Sequence, residues 1–141
     1  MSEMSYSIIV AEDDADDRLL LETAFRETGF DVHLVFAHNG VELLKLLTSP
    51  KRSFHPRVIL LDLNMPKKDG RESLKELKQH PELKKIPVII FTTTNNAAEI
   101  SRCYDLGANT YVVKPDNYTD LLKVVNHLKN YWFEIASVSE H

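Results

Sequence analysis

Five short runs rich in valine and isoleucine, at residues 6–11, 32–37, 57–62, 86–92 and 110–114, alternate with segments whose apolar residues recur at helical spacing. The helical sets are Leu20, Ala24 and Phe25; Val41, Leu44 and Leu47; Leu74 and Leu77; Ala97, Ile100 and Tyr104; and Leu121, Val125, Leu128 and Trp132. Strict strand–helix alternation demands crossover connections. Right-handed crossovers then place helices on both faces of a parallel sheet. The first, third and fourth runs are almost continuously apolar, as strands covered on both faces must be. The second alternates, with Val32, Leu34 and Phe36 on one side, which suits an edge. These constraints are satisfied by an α/β fold, a doubly wound five-stranded parallel sheet of order 2-1-3-4-5 between two helical layers. Asn39, Asn95 and Asn117 stand where helix N-caps are wanted, and Gly29 and Gly107 where a left-handed residue ends a helix.

That order puts the topological switch point between the first and third strands, where such sheets bind ligands at their carboxyl ends. Glu12, Asp13 and Asp14 follow the first strand, and Asp62 closes the third. Two carboxylates about 4 Å apart repel by roughly 4 kcal/mol at an effective dielectric near 20, so converging acids call for a cation. An all-oxygen set favours a hard ion, and Mg²⁺ is the usual companion of phosphoryl chemistry. Asp14, Asp16 and Asp17 read more simply as acids favoured by a helix N-terminus. Glu12, Asp13 and Asp62 terminate buried strands, where a charge is seldom structural. Thr92 closes the fourth strand and Lys114 the fifth, so a hydroxyl and an ammonium face the same edge, suited to a phosphoryl oxygen and its developing charge.

These residues resemble the receiver domain of two-component response regulators over residues 6–131, leaving 132–141 as an extension of the last helix and a tail. The resemblance rests on Glu12 and Asp13, on Leu61-Asp62-Leu63-Asn64-Met65-Pro66 with Asp69 and Gly70, on the run from Pro87 to Thr92, and on Gly107-Ala108 leading to Tyr111-Val112-Val113-Lys114-Pro115. It implies a flavodoxin-like, three-layer receiver sandwich. It also implies that Asp62 accepts a phosphoryl group from a histidine kinase, and that Asp13, Asp62 and the backbone carbonyl of Asn64 hold Mg²⁺ while Glu12 acts through water. Thr92 and Tyr111 correspond to the switch pair, and Lys114 to a phosphoryl-pairing lysine before a cis proline. Such a protein is a phosphoacceptor in a signalling relay, catalysing only its own phosphotransfer and dephosphorylation. Thr93 and Asp116 depart from the common pattern, which has a smaller residue and an apolar one at those places.

A closer similarity, through residues 61–72, residues 81–87 and the aromatic tail, is to stand-alone regulators of bacterial phytochrome histidine kinases. Tyr131, Trp132, Phe133 and Ile135 lie on a last helix read as residues 117–135, roughly 28 Å at about 1.5 Å per residue and longer than a strand can cover. These residues suit a homodimer contact together with the face made by the fourth helix, fifth strand and fifth helix. Packing back onto the domain is the alternative.

Composition narrows the remaining classes. The 141 residues carry 17 Lys plus Arg against 21 Asp plus Glu, a formal charge of -4, which argues against DNA or RNA binding. One cysteine, Cys103, excludes an internal disulfide and suits packing in a reducing compartment, and no apolar run reaches membrane length, so the expected location is cytoplasmic. His33, His38, His55, His80, His127 and His141 lack metal-ligand spacing. Residues 48–56, rich in Pro, Ser and basic residues, read as a solvated connection rather than a kinase-docking loop. A flavodoxin-like nucleotide binder would need small residues where Glu12-Asp13-Asp14 stand, and a haloacid-dehalogenase-type phosphatase would need an acid where Asn64 stands. A degenerate receiver acting only as a binding module is disfavoured by Asp13, Asp62, Thr92 and Lys114.

Overall fold

A computed structural model describes residues 6–139; Glu140 and His141, the end of the expected tail, lie outside it. The strands are β1 Tyr6–Ala11, β2 His33–Ala37, β3 His55–Leu61, β4 Val88–Thr92 and β5 Thr110–Val113. The α-helices are α1 Ala15–Glu27, α2 Gly40–Thr48, α3 Gly70–Gln79, α4 Ala97–Asp105 and α5 Tyr118–Lys129, with a 3₁₀ turn at Leu83–Lys85 and a π-helical turn at Asn130–Ile135. All strand pairs are parallel, and the order is β2-β1-β3-β4-β5. The doubly wound arrangement read from the apolar pattern is the one found.

Side-chain alternation explains the three layers. Ile9, Ala11, Ile59, Leu61, Val88 and Ile90 point to one face and pack with Leu43, Leu47, Leu74, Leu77 and Cys103 from α2, α3 and α4. Ile8, Val10, Val58, Leu60, Ile89 and Phe91 point to the other and meet Leu21, Ala24, Phe25, Leu121 and Val125 from α1 and α5. Each fully buried Leu, Ile or Phe is worth about 1.5–3 kcal/mol in transfer free energy, so two such cores hold the sheet without a staple. Cys103 is one of these packing residues.

Local chemistry sets the helix ends. Asn39, Asn117, Asp14 and Asp69 accept hydrogen bonds from first-turn amides. The cap of α4 is Asn96, whose side chain accepts from the Glu99 amide at 3.1 Å, rather than the expected Asn95. A helix beginning at Ala97 places the Glu99 amide within reach of Asn96, whereas Asn95 is one residue too early. Gly29 and Gly107 do take positive φ, 72° and 107°.

β3 starts two residues before the expected run and is bulged: Ser7 pairs with Pro56 but Ile8 with Val58, leaving Arg57 as the extra residue. Proline has no amide hydrogen to donate, which suits it to such a break. The bulge gives Arg57 an unusual task. Its guanidinium donates to the carbonyls of Trp132 at 3.0 Å and Ala136 at 3.2 Å and lies over the rings of Tyr6 and Phe133. The last helix widens there, with the Ala136 amide donating to the Tyr131 carbonyl at 2.7 Å. Phe133 meets Phe30 edge-to-face, and Trp132 and Phe133 both pack on the α1/α5 core. The tail is thus not a uniform free aromatic cluster: the Arg57 clamp and the π turn fold Trp132 and Phe133 back, leaving Tyr131 and Ile135 exposed at 51% and 70%.

Candidate functional site

The ladder between β1 and its neighbours runs one residue past the strands, the Glu12 amide donating to the Ala37 carbonyl at 2.9 Å and the Asp62 amide to the Ala11 carbonyl at 3.1 Å. Both acids are thereby held at the carboxyl edge of adjacent central strands. Carboxylate oxygens of Glu12, Asp13 and Asp62 lie within 4.8 Å of one another, with Glu12 and Asp62 buried and Asp13 exposed.

The Lys114 amide continues the ladder from β5 to the Thr92 carbonyl at 2.8 Å, which carries its side chain over the acids. Its ammonium donates to Glu12, to Asp17 Oδ2 at 2.8 Å and to Asp62 Oδ2 at 3.2 Å. Burial by itself lowers the affinity of Lys114 for its proton. The hydrogen bonds to Asp17 and Glu12 and the charge of Asp62 more than reverse this, holding the ammonium well above its ordinary pKa. Burial pushes Glu12 up to about 7; the nearby Asp62 charge adds to this and the Lys114 hydrogen bond opposes it. Four carboxyl groups against one ammonium leave the pocket rich in negative charge. All its donors are oxygen, so it fits a small divalent cation better than a soft metal.

Asp17 corrects the sequence reading. It sits in the first turn of α1, as its assignment to the helix dipole supposed, but it also grips Lys114. Nothing in the local sequence marked that contact, because Asp17 and Lys114 come from opposite ends of the chain. Asp14 does cap α1, its carboxylate accepting from the Asp16 and Asp17 amides.

Gly70 closes the site from behind. A Cβ there would fall 2.2 Å from the Asp62 carbonyl oxygen and 2.7 Å from Leu63 Cα, so only glycine lets α3 approach the Asp62 loop this closely. The Asn64 amide donates to Asp62 Oδ1 at 3.3 Å, and the Asn64 side-chain amide to Thr94 Oγ1 at 3.3 Å. Thr92 is fully buried, and its hydroxyl has no hydrogen-bond partner among the described residues. Tyr111 is half-buried against the α3/α4 core, and its hydroxyl donates to the Thr94 carbonyl at 2.8 Å. The described backbone contains no cis peptide bond, so Lys114–Pro115 is trans and the expected cis proline is corrected. Trans is the lower-energy isomer of an X–Pro amide by about 0.5–1 kcal/mol.

Comparison with known proteins gives the family of the chain. The family described as response regulator receiver domain matches residues 8–126. The response regulator Rcp1 of Synechocystis sp. is 37% identical over 134 residues, covering 93% of this chain and 91% of its own. The Mn²⁺-bound crystal form of Rcp1 superposes with a TM-score of 0.85 at 36% identity, covering 95% of this chain and 99% of that one. A phosphorylated cyanobacterial phytochrome response regulator, RcpA, gives 0.88 at 33% identity over 98% of this chain and all of the other, at 100%.

Proposed function

The chain belongs to the response regulator receiver family, and on that premise we propose that it is a stand-alone regulator whose Asp62 takes a phosphoryl group from a sensor histidine kinase. The observation that carries this reading is the convergence of Asp62 with Glu12, Asp13 and Lys114 at the carboxyl edge of the central strands. An oxygen of the Asp62 carboxylate forms a bond to phosphorus as the phosphorus–nitrogen bond of a kinase phosphohistidine breaks, the electron pair returning to the imidazole nitrogen. Hydrolysis then returns phosphate and the free carboxylate when water attacks the phosphorus.

Asp13, Asp62 and the Asn64 carbonyl would hold Mg²⁺, with Glu12 acting through water. Bound there, the ion neutralises charge that gathers on the phosphoryl oxygens. Lys114 stays charged in this acidic pocket and is placed to pair with a phosphoryl oxygen. The buried Thr92 hydroxyl is the donor in search of an acceptor, and Tyr111, tied to the loop that follows Thr92, transmits its movement. Phosphorylation adds about 1.5–2 negative charges, enough to bias such a loop.

Relatives described as phytochrome response regulators support a phytochrome-type kinase as the partner. Output is by contact through the face of α4, β5 and α5. Tyr131 and Ile135 would extend that face into a homodimer, and sedimentation of a Tyr131→Ser, Ile135→Ser variant tests this; an unchanged oligomeric state would sink the idea. No described helix is long and apolar enough to cross a membrane, and we place the protein in the cytoplasm with its kinase.

The deciding experiment is intact mass after incubation with acetyl phosphate, with and without Mg²⁺, beside Asp62→Asn. One Mg²⁺-dependent adduct of a single phosphoryl group, absent from the variant, is the expected result. An adduct of equal extent in the variant would move the acceptor elsewhere.

A further inference from the structure

Helix α4 is lightly held. Of its nine residues only Cys103 is buried, and the Tyr104 hydroxyl accepts from the Tyr111 amide at 3.0 Å. Among the described residues, a single ion pair joins this helix to another element: Glu99 accepts from Arg71 Nε at the start of α3. The two side chains retain only 26% and 23% of their exposure, and the Arg71 guanidinium also faces Asp69 Oδ2 at 3.7 Å.

The two halves of this pair belong to opposite sides of the phosphoacceptor site. Arg71 follows Gly70, which is pressed against the Asp62 carbonyl, so the arginine is anchored to the acceptor loop. Glu99 lies in the first turn of α4, reached from Thr92 by residues 93–96 and capped by Asn96 through the Glu99 amide itself. That connecting segment is held by Tyr111 and Asn64 through Thr94. Residues 93–96 link the Thr92 hydroxyl, unpartnered among the described residues, to the first turn of α4, so any movement of Thr92 toward a phosphoryl group on Asp62 would draw on that turn. Arg71 holds that turn to α3.

We propose that the Arg71–Glu99 pair is a latch that keeps α4 in its resting place and thereby sets how readily Asp62 is phosphorylated and how strongly α4 responds. Arg71 touches no reacting atom and is a positioning residue. The proposal rests on the reading of Asp62 as phosphoacceptor, but one arm of its test does not.

Arg71→Gln, Glu99→Gln and the double variant are compared with the unaltered protein in two measurements. In the absence of any phosphodonor, amide hydrogen exchange of residues 94–104 is expected to speed up about three- to tenfold in each variant, as loss of a half-buried ion pair would produce. With acetyl phosphate and Mg²⁺, the initial rate of phosphoryl uptake is expected to rise by a similar factor, equally in the singles and the double, with Arg71→Lys returning part of the difference. Unchanged exchange overturns the latch, and so do slower uptake or effects that add in the double variant, because the two residues then act separately. Should the unaltered protein take up no phosphoryl group, the Asp62 reading falls, and hydrogen exchange alone decides the latch.

Discussion

Replacing Thr92 by valine tests the switch at its most exposed assumption. The threonine is 0% accessible in a strand whose five residues are all buried, and its hydroxyl has no partner among the described residues. A buried unpaired hydroxyl costs about 1–3 kcal/mol in desolvation, while valine has nearly the same shape and suits a central strand. Thr92→Val should therefore stabilise the unphosphorylated protein by about 1–2 kcal/mol, a rise in Tm of roughly 3–6 °C for a domain of this size. Urea unfolding reads this as a higher midpoint at unchanged slope. With acetyl phosphate and Mg²⁺ the order should narrow or reverse, because only the native hydroxyl gains a charge-assisted hydrogen bond, worth about 1.5–3 kcal/mol. A variant less stable than the native chain without phosphodonor would refute the reasoning, since the hydroxyl would then be paired at rest.

Gly70→Ala forces a methyl group against the Asp62 carbonyl; it should cost about 1–3 kcal/mol and slow phosphoryl uptake, checked by unfolding and intact mass. Lys78 donates to the carbonyls of Lys84 and Ile86 and to Asn109 Oδ1 at 3.0–3.2 Å, stitching the end of α3 to the segments that lead into β4 and β5. Lys78→Met should lose about 2 kcal/mol in urea, and no loss would show the stitch to be dispensable. Arg57→Ala should release the π turn, read as faster amide exchange over residues 131–136 with little change in the sheet. Lys114→Ala should still accept some phosphoryl group but uncouple it from changes at α4; exchange of α4 that responds as in the native chain would reject that role.

Much of this architecture is local in origin. Alternating strand and helix periods place each side chain on a face, so the two cores and the edge position of β2 follow from spacing, and the strand order found is one that satisfies the right-handed crossover rule. The acids at residues 12, 13 and 62 meet because each ends a central strand, a property written in the apolar runs before them. Asp17 was legible only in part, because its first-turn position already had a sufficient explanation. Its contact with Lys114 joins residues 97 positions apart.

The same distinction separates the rest. Periodicity and capping chemistry act over a few residues; they determined the elements and, with the right-handed crossover rule, a doubly wound sheet with its chemistry gathered at the carboxyl edge. Tertiary structure alone decided that Arg57, freed by a bulge, clasps the carbonyls of the last turn, and that Trp132 and Phe133 fold back while Tyr131 and Ile135 do not. It alone left the Thr92 hydroxyl unpaired among the described residues and set Arg71 against Glu99. Such contacts depend on how rigid elements meet across the fold, and a single chain read residue by residue carries no measure of that distance.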